Sequence, residues 1–273
     1  MATLLLITGA LPTAQAAFED RGPVPASTGT GGVHAGDALS FTSRSINPSA
    51  GSWRPSWGFH AAWSDPFGIP ELSQVRVDAC GPLGKSWTTG LWGMGLGSAA
   101  YNERSAGLTL SRAFGYTVSA GMGLSWSVVN LDHYGGDDLV SLDAGLTFRH
   151  RLIDAGIAVS NLAHGKMERF DESFASRQVT CGVSVPVDEG TRLLVDYLWG
   201  ANGTGAVRAG MDIHVYGPIQ LRAGWDGQTQ RLAVGLGIGV GGWSADSAWD
   251  HHPYLGWTSS AGIRWEPDHD PLP

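Results

Sequence analysis

Lysine is almost missing from this chain: only 2 of its 17 basic residues are Lys, and charged residues fill just 15 % of its 273 positions. A sheet facing water ordinarily carries more Lys and Glu to protect its surface, so this scarcity argues against solvated strands. Base is also short of acid, 17 Lys and Arg against 25 Asp and Glu for a net charge of −8. That balance excludes the basic patch of a nucleic-acid partner. The two cysteines, Cys80 and Cys181, make neither a disulfide framework nor a zinc site. No apolar run reaches the roughly 18 residues of a membrane-spanning helix. What is abundant instead is Gly, with 40 residues, and Trp, with 12. Hydrophobic residues reach 42 %, too many for a disordered chain. The combination suits an all-β protein that meets lipid.

Residues 1–16 read as a secretory signal. Leu4 to Ile7 form a short apolar core, and Ala14-Gln15-Ala16 is a small-x-small cleavage site before Ala17. The basic n-region of such a signal is missing. From 17 to 55 the chain is rich in Gly, Ser, Thr and Pro and has no steady period. From 56 to 265 a period of two dominates. In 116–128, Tyr116, Val118, Ala120, Met122, Leu124, Trp126 and Val128 alternate with Thr, Ser and Gly, the mark of a strand with two unlike faces. The pattern recurs from Val140, Ile153, Val179, Leu193, Val207, Ile219, Leu232 and Trp257, with weaker starts near Trp57, Leu72, Trp87, Ala106 and Trp243. About 14 strands result. An acidic, Pro-rich tail at 266–273 follows.

Joins at 114–115, 150–151, 188–190, 216–218 and 241–242 are tight. Those alternating with them, at 130–138, 162–176, 200–205 and 250–254, are longer. Segregation of loop lengths by end is what an outer-membrane barrel displays. Trp126, Trp199, Trp225 and Trp257 fall on the long-loop side, and Tyr116, Phe148, Tyr216 and Trp265 on the short-turn side, like two interfacial girdles. The apolar phase is then expected to face lipid. The polar phase, with Asp143, Asp154, Asp196, Arg208, Asp212, His214, Arg222 and Arg264, is expected to line a lumen kept roomy by Gly, Ser and Thr.

Near the start of the mature chain, Gly29-Thr30-Gly31-Gly32-Val33 is followed by Asn47-Pro48-Ser49-Ala50. At the other end, a Leu-Arg-Ala-Gly-Trp strand, Asp246-Ser247-Ala248-Trp249 and Leu255-Gly256 lead into the last strand. The first pair resembles the N-terminal signature of FadL-type outer-membrane barrels, and the second is similar to the PorV-type branch of that superfamily. Val33 stands where the motif has Ala, and Ser49-Ala50 where it has Ala-Gly. The resemblance implies a closed antiparallel transmembrane barrel whose residues 17–55 enter the lumen as a plug. It implies a bacterial outer-membrane location and outer-membrane lipid as a partner. FadL-type members move hydrophobic molecules, and PorV-type members serve type IX secretion. The shortness of the chain favours the PorV-like branch, with secretion-system proteins as partners and a scaffold role. The alternative is a channel for a small hydrophobic solute, and the outsider a secreted soluble β-sandwich adhesin. At the strand of 87–100, Gly90, Gly93, Gly95 and Gly97 invite a bulge or kink. The resemblance implies a lateral opening from lumen to membrane there.

Other chemistry is weak. His251-His252 beside Asp250 would point to opposite strand faces and chelate poorly, so no metal site is expected. Asp132-His133 with Ser127 lacks a nucleophile turn, so no enzyme is expected. No cofactor is implied. Cys181 falls in the lipid-facing phase and Cys80 at a turn, so no bridge joins them.

Overall fold

A computed structural model describes residues 22–267 apart from 39, 54, 85, 165–176, 201–202 and 204. The predicted signal at 1–16 and the tail beyond 267 lie outside the described residues. Fourteen strands follow one another: β1 (Gly58–Asp65), β2 (Gln74–Leu83), β3 (Trp87–Gly97), β4 (Tyr101–Phe114), β5 (Val118–Leu131), β6 (Gly135–His150) and β7 (Ile153–His164). The second half comprises β8 (Gln178–Pro186), β9 (Thr191–Gly200), β10 (Gly205–Tyr216), β11 (Ile219–Asp226), β12 (Arg231–Val240), β13 (Trp243–His252) and β14 (Gly256–Trp265). Each pairs antiparallel with its chain neighbours, and Phe59 of β1 meets Trp265 of β14 to close the barrel. The expected all-β, closed antiparallel barrel is thus observed. Among the described residues, no helix is long and apolar enough to cross a membrane.

The alternation explains which face is which. In β5, Met122, Leu124 and Trp126 are exposed, whereas Ser119, Gly121, Gly123 and Ser127 are buried. Cross-strand pairing carries the phase around the wall: Leu124 stands opposite Leu108 on one side and Leu142 on the other. A water-soluble barrel would bury the large apolar set. Here it forms the outer band, and closure leaves no strand edge unpaired in lipid. Replacing Leu124 by Arg is expected to cost roughly 2–4 kcal/mol near the bilayer midplane, while Ser125→Arg, on the inner face, costs less. Reversible unfolding in phospholipid vesicles measures both. Equal losses would mean the facing is inverted.

Several boundaries differ from the sequence reading. The predicted long joins at 130–138 and 250–254 are mostly strand, because β5 runs to Leu131, β6 begins at Gly135, and β13 reaches His252. The tight reversal at 132–134 works because His133 (φ 67°) and Gly135 (φ 84°) take the left-handed region. The strand expected near Ala106 begins at Tyr101, and Cys80 lies within β2 rather than at a turn, buried on the inner face.

The lateral opening at the third strand is also corrected. From Leu83↔Trp87 to Gln74↔Leu96, β3 pairs with β2 residue for residue, and from Trp87↔Arg112 to Gly97↔Asn102 it pairs with β4. Gly93 and Gly95 stand opposite the outward Val77 and Val75, whereas Gly90 stands opposite the inward Cys80. Without Cβ atoms Gly93 and Gly95 thin the outer surface of the wall, and although Gly97 at the strand end takes φ 106°, the pairing on both sides is unbroken and no gap forms.

The N-terminal segment is inside the barrel. It carries a one-turn helix, α1 (Pro25–Gly29), and 3-10 turns at Phe41–Ser45 and Pro48–Trp53. Pro25 stands at the helix start, where its missing N–H costs nothing. Val33, Ala35, Ala38, Asn47 and Ser49 are almost fully buried. Small side chains let this irregular backbone fit within the wall.

Candidate functional site: the plugged lumen

The inner wall meets the plug through glycine. A Cβ added to Gly224 of β11 would lie 2.1 Å from the carbonyl carbon of Thr30, and one on Gly210 of β10 would lie 2.4 Å from its oxygen. One on Gly182 of β8 would lie 2.7 Å from the Gly36 nitrogen, and one on Gly121 of β5 would lie 2.5 Å from the Pro48 carbonyl carbon. Gly145 and Gly156 repeat this against Asn47 Oδ1 and the Ala35 carbonyl oxygen, each at 2.0 Å. The expectation that small residues keep the lumen roomy is therefore corrected. They are seats, and the plug occupies them.

Polar anchors fix the register. Asn47 donates from Nδ2 to the Ala35 carbonyl (3.0 Å) and the Leu146 carbonyl (3.1 Å). Its Oδ1 accepts from the Ser49 N–H (3.1 Å) and hydroxyl (2.7 Å). Trp53 Nε1 donates to Thr147 Oγ1 at 2.6 Å, and the Ser119 hydroxyl to the Ser49 carbonyl at 2.9 Å. On the far wall the Asp196 carboxylate accepts from the N–H groups of His34 (2.9 Å) and Ala35 (3.0 Å). Arg192 reaches Asp37 of the plug.

The eight lumen residues named from the sequence all fall in the inward phase but do not form one cluster. Asp196 holds the plug. Arg222 bridges Asp246 (2.6 Å) and Asp212 (3.3 Å). Arg208 pairs with Asp226 at 3.2 Å. His214 contacts Gln220, and Arg264 donates to Ser244 Oγ at 3.0 Å. Asp143 accepts the Asn161 N–H (2.9 Å) where the β6–β7 register shifts, and Asp154 stands opposite Arg149. Of the motif residues, Gly29 abuts Gly235, Gly31 (φ 73°) lies against the Trp225 backbone, Gly32 against Arg208, and Pro48 against Gly121. His251 and His252 diverge, the first against Trp257 and the second against Phe67.

The sequence reading missed Asp37, Arg192, Arg76, Asp78 and Asp246. The last four share the inward parity of their strands, a signal that was available. It also missed that β3 turns Trp92, Met94 and Leu96 inward, opposite Asp78, Arg76 and Gln74. Beside them, between the wall and the plug, lies a small pocket. Its lining includes Phe41 and Arg44 of the plug, with His60, Arg76, Asp78 and Trp92 of the wall.

Burial alone would raise the Asp37 carboxyl, but the Arg192 guanidinium and then His34 outweigh it and hold it well below the usual carboxylate range. A depressed folded-state pKa contributes stability that is fully present above the ordinary carboxylate pKa of about 4 and is lost as pH falls through the folded value. Plug docking is therefore expected to vary little through this carboxyl between neutral pH and about 4, and to weaken below that. Asp37→Asn should weaken docking at neutral pH and flatten the acid limb. Proteolysis of the N-terminal segment against pH reads this out, and an unchanged acid limb in the variant would refute it.

No protein-family model and no curated protein sequence matches the chain. Solved structures do. A monoaromatic hydrocarbon channel, CymD, superposes with a TM-score of 0.68 at 13 % identity, covering 93 % of this chain and 100 % of that one. The Pseudomonas putida toluene transporter TodX gives 0.62 at 10 %, covering 87 % and 95 %. A Pseudomonas aeruginosa FadL homologue gives 0.60 at 12 %, covering 89 % and 96 %. The likeness is one of fold.

Proposed function

We propose that the chain is a bacterial outer-membrane channel that passes small hydrophobic solutes. This is the alternative of the sequence reading, and it displaces the PorV-type secretion scaffold. The observation that carries it is the inward turn of Trp92, Met94 and Leu96 in a wall whose inner face is otherwise mostly polar or glycine. Met94 is buried there and Trp92 and Leu96 are half-buried, so the inner wall offers an apolar solute a favourable surface at this point. The structural neighbours named as hydrocarbon channels and a toluene transporter support the same cargo class. The charged inner residues order water and the plug, and the glycine bed keeps the lumen closed until the plug moves.

Uptake of labelled toluene by bacterial cells carrying the barrel, against cells carrying an empty vector, tests this. Faster uptake is expected, and equal uptake would overturn it. A scaffold for secretion-system proteins is the second reading. It is favoured by the unbroken pairing of β3, which offers no sideways exit, and it is the reading left if toluene uptake is unchanged.

A further inference from the structure

Along the inner wall, arginines meet carboxylates: Arg192 faces Asp37, Arg208 Asp226, Arg222 Asp246 and Arg231 Asp250. Arg112 does not. It lies on the outward face of β4, in phase with the exposed Leu108, Leu110 and Phe114 and in register with the exposed Trp87 of β3. Its guanidinium carbon is 5.5 Å from the centre of the Trp87 ring and 5.4 Å from that of Phe114. Among the described residues it has these two rings beside it and no ion pair or hydrogen bond. The adjoining turns, 84–86 and 115–117, contain no Asp or Glu. A cation on the lipid face of a barrel is tolerated near the interfaces rather than at the midplane. Arg112 stands near one, two residues before the end of β4. The anions at that level of a bilayer are headgroup phosphates. Cation–π attraction to two rings confines the guanidinium, and its fork matches phosphate oxygens in pairs.

We propose that Arg112, held by Trp87 and Phe114, seats the phosphate of an anionic glycerophospholipid in the periplasmic leaflet. The proposal rests on the barrel's place in the bilayer and not on its cargo. The end bearing the 84–86 and 115–117 turns lies opposite the 66–73 join, and it is periplasmic when the longer loops face outside. A lipid of net negative charge is favoured over a zwitterionic one, because the adjoining turns hold no carboxylate to take a headgroup ammonium. Free phosphate is the poorer occupant, since a bare ion must leave water to reach a guanidinium set among apolar side chains.

Dioleoyl phosphatidylglycerol and dioleoyl phosphatidylcholine are the probes, being alike in their chains and unlike in net charge. The purified barrel is exchanged into non-ionic micelles holding equal amounts of both, and native mass spectrometry counts the lipid that stays bound. Phosphatidylglycerol is expected to be retained about fivefold over phosphatidylcholine, the scale of one basic residue at an anionic lipid surface. Arg112→Met should bring the ratio near one. Trp87→Leu, which keeps the charge and removes a ring, should lower it. Arg151→Met removes a cation from an exposed turn at the same end and should leave the ratio alone. Excess inorganic phosphate should not displace the lipid. Heat-modifiable gel migration shows whether each variant is folded, and Arg112→Lys, which keeps the charge and loses the fork, should lower the ratio if the Met variant does not fold. A ratio near one in the parent, a ratio unmoved at position 112, or an equal drop with Arg151→Met would each overturn the proposal. Displacement by phosphate would overturn it too, because the seat would then be one for a free anion.

Discussion

Gly210→Val combined with Gly224→Val is expected to convert a nearly closed barrel into a conducting one. The added Cβ atoms would lie 2.4 Å from the Thr30 oxygen and 2.1 Å from its carbonyl carbon. These are backbone atoms, so no side chain can swing aside. The segment must lift. Overpacking of this kind costs about 1–3 kcal/mol per site, and about 3 kcal/mol in sum shifts a docked-to-undocked ratio roughly a hundredfold. The barrel itself should survive, because Val favours strands and the strand pairing is untouched. Single-channel recording in planar bilayers should show a larger open state in the double variant than in the parent. Gly95→Val, on the outer face with nothing within 4 Å of its Cβ, serves as the control and should leave conductance alone. A double variant with normal heat-modifiable gel migration and the parent's conductance would show that the glycines do not hold the plug.

Asn47→Ala should release the same segment from its other end. Two carbonyls, Ala35 and Leu146, lose their donor, and the Ser49 N–H and hydroxyl lose their acceptor. A buried polar group left without a partner costs about 1–3 kcal/mol. Allowing for partial rescue by water, the loss of docking is expected on the order of 3–5 kcal/mol. Amide exchange in the 3-10 turn at Pro48–Trp53 should accelerate accordingly, while exchange in β10 and β11 stays slow. Unchanged protection would mean that Asn47 is incidental to docking. Asn47→Asp keeps the acceptor and loses the Nδ2 donors, so it separates the two halves of the anchor.

The barrel was legible because its signal is local. From Val118 to Val128 of β5 each apolar residue has a small polar or glycine neighbour, so period two reports both the strand and its faces. Where both phases are apolar, that logic gives no answer. In β3, Leu91 faces out while Trp92, Met94 and Leu96 face in, and the glycine run drew attention to a kink instead. In β2, inward Arg76 and Asp78 with Pro82 broke the apolar reading and pushed Cys80 into a supposed turn. The seats of the plug were out of reach for a different reason. Gly145 is glycine because Asn47 lies there, and Gly224 because Thr30 lies there. Those partners sit some hundred or more positions away, so no window of sequence contains the contact. The inward parity of Asp246 and Arg192 was readable, but which carboxylate met which guanidinium was not.

The abrupt reversals at 98–100, 132–134 and 253–255 bear on how large molecules meet this protein. These tips share the end of the barrel that carries the 66–73 join, the end that faces the cell exterior when an outer-membrane barrel keeps its longer loops outside. An antibody or a phage tail fibre needs a broad, protruding epitope. Tips this short present little more than a rim. Over these arcs the barrel is expected to be poorly immunogenic in intact cells, and an inserted epitope tag would strain the hairpin registers on either side. The 66–73 join, where Phe67 packs against His252, offers a wider face and is the better place for a detection tag.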